Sequence, residues 1–187
     1  MLTLILGGAR SGKSRFAQSL CGTSSRVAYL ATGLPQDEEM RARIARHRSD
    51  RPSAWTTLEE PLEISSLVNQ QARSFDMILL DCLTLWLSNW CWEYRNRTIE
   101  QIEASVISEI ERLSQASLKV DLIAVSNEVG CSIVPESSIG RQFRDLQGMV
   151  NQQVASVAQT VYQMVAGIPV LIKTFDTPLS GSRDDPT

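Results

Sequence analysis

Histidine is almost absent from this sequence: His47 is the single imidazole in 187 residues. Four cysteines, Cys21, Cys82, Cys91 and Cys131, form no CxxC pair, so the usual ligands of a zinc site and the usual spacing of a disulfide framework are both missing. Reduced thiols are the simplest reading. An excess of positive charge is also missing. With 18 Lys and Arg against 21 Asp and Glu, the net charge of −3 gives no general attraction to nucleic acid. The longest apolar run, Leu83 to Trp92, is interrupted by Ser88 and Asn89 and falls well short of the ~20 residues needed to cross a bilayer. No basic stretch followed by an apolar one precedes the first strand-like segment, so a cytoplasmic protein is expected. A chain of this length suits one domain, which would bury about 70% of its unfolded surface.

What is present starts at the second residue. Leu2-Thr3-Leu4-Ile5-Leu6 is an apolar run, Gly7-Gly8-Ala9-Arg10-Ser11-Gly12-Lys13-Ser14 is a glycine-rich turn, and Ser14 to Leu20 is compatible with a helix. Strand, turn and helix in that order are the context of a phosphate-binding P-loop. Glycines let the backbone turn tightly so that several N–H groups face inward, and the helix adds its positive dipole end at the same spot. Lys13 would reach the β- and γ-phosphates, and the Ser14 hydroxyl would help hold Mg²⁺. The chain is therefore expected to bind a nucleoside triphosphate.

Further along, Arg26 to Ala31 and Val120 to Val125 read as buried strands, Asp76 to Asp81 and Ile168 to Thr174 as strands, and Trp55 to Leu58 as a short one. Helices are expected from Pro35-Gln36-Asp37 to about Arg48, over Leu62 to Ser74, Leu83 to Cys91 and Thr98 to Leu113, and from about Ile139 to Ala166. Alternation of continuously apolar strands with helices argues for a mostly parallel sheet covered on both faces, an α/β fold. Ligands of such sheets sit at the carboxyl ends of the strands, where Gly7, Thr32-Gly33, Asp81 and Ser126-Asn127-Glu128 should meet. Residues 1–175 are expected to form a single P-loop nucleotide-binding catalytic domain. Residues 176–187, rich in Pro, Gly, Ser and Asp, are expected to be a flexible tail.

Asp81 ends its apolar strand as a Walker B acid does, placing it to hold Mg²⁺ with Ser14; a helix cap before Leu83 is the plainer role. His47 lies among Arg43, Arg46, Arg48 and Arg51, at helical spacing from Met40 and Ile44. It is either a packing residue or a nucleophile, and the arginines are either a solvated face or a triphosphate clamp. An acid at Glu59 or Glu60 suits a guanine N1–H and amino group, or simply a helix start. Asn127 and Glu128 either contact an acceptor substrate or satisfy loop backbone. Trp86, Trp90 and Trp92 read as core or a subunit contact.

Taken together, the glycine turn through Arg15, His47-Arg48 with Arg51-Pro52 and Trp55, Asn127-Glu128-Val129-Gly130 with Ile133-Val134-Pro135, and Phe143-Arg144-Asp145 with Gly148 and Asn151-Gln152 resemble one enzyme family. It is the bifunctional adenosylcobinamide kinase / adenosylcobinamide-phosphate guanylyltransferase family of cobalamin biosynthesis, and the likeness runs to about Lys173. The resemblance implies a RecA-like P-loop NTPase fold and two reactions. ATP or GTP phosphorylates adenosylcobinamide, and GTP then passes GMP through a guanylyl-histidine to the phosphate, giving adenosylcobinamide-GDP and pyrophosphate. It also implies His47 as the guanylylated residue and Gly7 to Ser14 as the phosphate cradle. Ala31, Thr32, Gly33, Arg48, Ser49, Asp50, Arg51, Glu59 and Asp81 are implied as further nucleotide contacts. The small-molecule partners would be adenosylcobinamide and its phosphate, and assembly as a homotrimer is implied. Asp81 stands where some members carry Glu, and the segment after Lys173 has no counterpart. Two other readings fit the P-loop: a single-activity small-molecule kinase, and a non-enzymatic nucleotide-gated regulatory module.

Overall fold

The computed structural model describes residues 1–22, 26–35, 37–49 and 51–174, so the expected tail lies outside them. In chain order the elements are β1 (Leu2–Gly7), α1 (Lys13–Leu20), β2 (Val27–Ala31), α2 (Glu38–Ser49), β3 (Thr56–Glu59), α3 (Ile64–Gln71) and β4 (Met77–Asp81). There follow α4 (Leu83–Glu93), α5 (Ile99–Ala116), β5 (Asp121–Val125), a 3-10 turn (Val129–Cys131), α6 (Ser138–Val157), β6 (Thr160–Val165) and β7 (Ile168–Lys173). The strands make one sheet in the order β3-β2-β4-β5-β1-β6-β7, parallel throughout except for β7 at the edge.

The apolar runs of β1, β2, β4 and β5 form the middle of this sheet because helices cover both of its faces, while β7 stands exposed at its edge. One face buries Leu4, Leu30, Leu80 and Leu122 beneath α3 to α6, and the other buries Ile5, Tyr29, Leu79 and Ile123 against Ala17 of α1. Trp86 and Trp90 belong to the first core, and both indoles donate to Leu62 O, at 2.8 and 3.1 Å. Trp92 is exposed. All four cysteines are free, and burial pushes the Cys21 thiol up to about 11, which leaves it an inert packing group.

The long helix expected to run to Ala166 stops at Val157. Residues 160–165 are instead strand β6, parallel to β1 and antiparallel to β7. Thr160, Val161, Tyr162 and Val165 are β-formers. The two residues joining the hairpin, Ala166 (φ 51°) and Gly167 (φ 85°), have the positive angles of a type I′ turn. Apolar periodicity along α6 carries past its end and masks this signal.

Register brings the carboxyl ends into a row. Ile5 pairs with Val125, Val125 with Asp81, Asp81 with Ala31, and Ala31 with Glu59. Gly7, two residues past Ile5, leads into the glycine turn, so the turn and the whole row lie along one edge of the sheet. The same row places β5 between the strand of the glycine turn and the strand of Asp81.

No side chain crowds a Cβ at Gly167, so its cost there is conformational. Gly167→Ala is expected to lower unfolding free energy by about 1 kcal/mol, read as a reduced urea midpoint at unchanged slope.

Candidate active site

The glycine turn needs backbone without side chains. Gly7 has φ 150°, and a Cβ there would lie 2.7 Å from Ser11 Oγ and 2.8 Å from the Met164 carbonyl oxygen. Gly12, which caps α1, has φ 94°, and its Cβ would meet Gly167 Cα at 3.3 Å. The hairpin turn thus backs the loop, and Gly167 N donates to Ser11 O at 3.1 Å. Helix α1 begins at Lys13 with no side-chain cap from Gly12, so its N-terminal end faces the loop, which is the arrangement that receives a phosphate.

Lys13 Nζ donates to Gly8 O at 2.6 Å and to Asn127 Oδ1 at 2.7 Å, so the ammonium is held over the loop by the end of β5. That end is fixed in turn. Glu128 N donates to Gly7 O at 3.1 Å, and Asn127 N donates to Thr84 Oγ1 at 2.9 Å. Helix α6 completes a buried polar network there. Ser126 Oγ and Gln147 Nε2 both donate to Asn151 Oδ1, at 2.6 and 3.0 Å. Asn151 Nδ2 donates to Asn127 O at 3.0 Å and to Glu128 Oε1 at 2.5 Å.

Asp81 stands at the end of β4, and its Oδ2 accepts from the Tyr29 hydroxyl at 2.7 Å. Burial, and then the neighbouring Asp81 charge, push the Tyr29 hydroxyl far up, so it stays a donor at any working pH. The Arg51 guanidinium lies 3.4 Å over the Tyr29 ring and donates to Thr57 Oγ1 at 3.2 Å. Thr32 is buried, and its hydroxyl exchanges hydrogen bonds with the Cys82 backbone at 2.7 and 3.0 Å. The cap of α4 falls to Cys82, whose sulfur accepts from Leu85 N, so Asp81 is not the cap. Beside Thr32, Gly33 leaves room for Leu85 and for Ile44 of α2.

His47 sits half-buried in the last turn of α2, and its ring makes no hydrogen bond with a described residue. Its neighbours tie the helix end to the sheet. Arg48 forms an exposed ion pair with Glu59, and Arg51 reaches Tyr29. Glu60 serves the next helix instead: its Oε1 accepts from Leu62 N and Glu63 N, both at 2.9 Å, just before α3. Ser49 donates to Arg46 O, and Asp50 lies outside the described residues.

This edge of the sheet therefore gathers the glycine turn, Ala31 to Gly33, Asp81 and Glu59, with Arg48 at the end of α2 and Arg51 just beyond it tied to the same edge. Tyr29, Thr84 and Asn151 also belong to it, and none of the three is a site residue by sequence reasoning. Tyr29 reads as one more strand residue. Asn151 carries a signal only as part of the Asn151-Gln152 motif.

A family model described as cobinamide kinase / cobinamide phosphate guanyltransferase matches residues 3–172. The chain belongs to this family. It is 40% identical, over 181 residues, to the bifunctional adenosylcobalamin biosynthesis protein CobU of Escherichia coli (strain K12), a match covering 92% of this chain and all of that protein. The CobU protein of Salmonella typhimurium is 38% identical over 186 residues, covering 92% of this chain and 100% of that one. The bifunctional protein CobP of Pseudomonas aeruginosa is 40% identical over 176 residues, covering 92% of this chain and 98% of that one. Among solved structures, an ATPase from a bacterial type III secretion system superposes with a TM-score of 0.57 at 10% identity, covering 88% of this chain and 51% of that one. That likeness carries the fold alone, which is RecA-like. This cobinamide kinase / cobinamide phosphate guanyltransferase family member is thus a nucleotide-using enzyme of cobalamin biosynthesis. No described helix is long and apolar enough to cross a membrane.

Gly7→Ala is expected to weaken binding of a fluorescent nucleoside triphosphate at least about tenfold, since the added carbon must displace the Met164 backbone or the loop. Far-UV circular dichroism of the variant should match wild type.

Proposed function

We propose that this chain catalyses both reactions of its family in one phosphate cradle, with His47 as covalent carrier in the second. The observation that supports this most directly is the sharing of one sheet edge. The glycine turn, Asp81 and Glu59 lie along it, and the segment bearing His47 is pinned to it through Arg48 and Arg51.

In the first reaction the hydroxyl oxygen of adenosylcobinamide bonds to the γ-phosphorus of ATP or GTP. The bond to the β–γ bridging oxygen breaks, and the nucleoside diphosphate leaves with the electron pair. The backbone N–H groups of the glycine turn and Lys13 take up charge on the phosphates. Mg²⁺ would be held by Ser14 and Asp81. The residues suit it: both offer hard oxygens, and Tyr29 occupies only Oδ2 of the Asp81 carboxylate. Among the described residues no cluster of three or more His, Cys, Asp or Glu competes for a metal. Bound there, Mg²⁺ would supply neutralisation of the charge on the phosphates.

In the second reaction an imidazole nitrogen of His47 bonds to the α-phosphorus of GTP as pyrophosphate leaves. A phosphate oxygen of adenosylcobinamide phosphate then attacks that phosphorus, the P–N bond breaks, and adenosylcobinamide-GDP is released. A phosphate monoester is a poor nucleophile toward another phosphate, so a histidine carrier divides one hard displacement into two easier ones. Ala31, Thr32, Gly33, Arg48, Ser49, Asp50 and Arg51 would hold the GTP, and Glu59 would accept from the guanine N1–H and amino group after parting from Arg48.

We further take residues 1–175 as one catalytic domain in the cytoplasm, acting as a homotrimer. Exposed Ile168, Val170, Leu171 and Ile172 on edge strand β7 offer an apolar surface for another copy to cover.

With α-labelled GTP and Mg²⁺, wild type is expected to gain an acid-labile, alkali-stable label that His47→Asn does not gain. Absence of label from wild type under all conditions would leave a simple kinase. Lys13→Ala is expected to lose both turnover and labelling by more than about a hundredfold; full turnover in that variant would refute a shared cradle.

A further inference from the structure

The acceptor hydroxyl of the first reaction is an aliphatic alcohol, which needs a group to take its proton as it attacks phosphorus. We infer that Glu128 is that general base and that Asn151 is its positioning residue. The inference rests on the kinase half of the function proposed above.

Four observations carry it. First, Glu128 follows directly on β5, the strand hydrogen-bonded to β1, and its amide is bonded to Gly7 O at 3.1 Å. Its backbone therefore touches the first glycine of the phosphate cradle. Second, the preceding residue, Asn127, holds Lys13 Nζ at 2.7 Å, so this corner of the crevice faces the group expected to grip the transferred phosphoryl. Third, the carboxylate is aimed. Asn151 Nδ2 donates to Oε1 at 2.5 Å, and Asn151 is itself fixed by Ser126 and Gln147, both buried. Fourth, the one hydrogen bond to Oε2 among the described residues comes from the exposed Cys131 thiol, at a sulfur distance of 3.9 Å, a weak donor that leaves this oxygen able to accept a proton. An anchored oxygen beside an open one is what a base on a rigid support requires.

Competing acids along the same edge are engaged or more distant. Asp81 accepts from Tyr29 and lies one strand farther from β1. Glu59 is paired with Arg48 at the far edge of the sheet, and Glu60 holds the start of α3. In the step itself, Glu128 Oε2 receives the hydroxyl proton while the alcohol oxygen bonds to the γ-phosphorus. The β–γ bridging bond breaks toward the nucleoside diphosphate, and the proton later passes to solvent. The guanylylation of His47 transfers no proton from an alcohol, so it makes no demand on Glu128.

That difference supplies the test, made on the full-length enzyme with adenosylcobinamide and ATP for the kinase and α-labelled GTP for the histidine adduct. Glu128→Gln is expected to lower kinase kcat about 10²–10³-fold, while the affinity for a fluorescent ATP analogue and the labelling of His47 stay within about threefold. Glu128→Asp, which keeps the acid on a shorter stem, should fall between the two. Kinase turnover of Glu128→Gln within about threefold of wild type would overturn the assignment. So would a parallel loss of turnover, ATP binding and labelling, which marks a structural residue. A wild type that phosphorylates but never labels refutes the carrier role of His47 and leaves Glu128 standing. A wild type without kinase turnover refutes the underlying function itself.

Discussion

A hydrogen bond of 3.1 Å from Gly167 N to Ser11 O records how closely two backbones approach at the centre of this site. The phosphate loop lies directly against the β6–β7 turn and the Met164 backbone, with no room for a side chain at Gly7 and little at Gly12. Both glycines also carry positive φ values, which other residues adopt at a cost. Close approach and left-handed backbone are two faces of one requirement. A loop whose N–H groups converge on a phosphate must have its carbonyls facing outward, and those carbonyls need partners. Gly7 O finds Glu128 N and Ser11 O finds Gly167 N, so two separate parts of the chain are committed to holding the loop.

Once the loop is fixed, parallel strand order decides what can work beside it. All strands from β3 to β6 run the same way, so their carboxyl ends share one edge, and each end supplies the residue type its distance permits. β5, the neighbour of β1, supplies Asn127 and Glu128, whose short reach lets them touch Lys13 and Gly7. β4, one strand farther, supplies Asp81, braced by Tyr29 from β2. β3, at the edge, supplies Glu59, which meets α2. Strands pack about 4.8 Å apart, so successive ends sample a triphosphate-sized span in steps.

The sheet and the cradle were legible in the sequence because each depends on local order: continuous apolar runs for buried parallel strands, and a glycine turn between strand and helix. Asp81 and Ser126-Asn127-Glu128 were legible as polar residues closing apolar runs. The missing pieces depend on tertiary partners. Tyr29 is one strand residue among several until Asp81 comes to lie opposite its hydroxyl across the sheet. Asn151 reads as a polar position on an amphipathic helix, and only packing against β5 makes it a donor to Glu128. Glu59 and Glu60 are adjacent and alike in sequence; the structure separates them, one on Arg48 and the other on the α3 amides. Strand β6 was lost inside a helix because apolar spacing alone does not distinguish the two periods near an element's end. The Ala166-Gly167 pair, with its positive φ angles, is the local feature that separates helix from hairpin here.

Under the proposed chemistry, one cradle must serve two displacements at different phosphorus atoms, and His47 belongs at only one of them. Helix α2 is built for conditional placement. None of its described side chains is fully buried, and both core clusters are assembled without it. Among the described residues it is attached by Ile44 beside Gly33, by the exposed Arg48–Glu59 pair, and by Arg51 just beyond its end over Tyr29. An exposed ion pair contributes at most about 1 kcal/mol, so moving the helix end costs little compared with unfolding any part of the sheet. Glu59 is also the acid proposed for the guanine edge, and a guanine on Glu59 would compete with Arg48 for the same carboxylate. Binding of the correct base would then loosen the tie that sets the position of His47, linking nucleotide identity to the placement of the nucleophile through a single shared carboxylate.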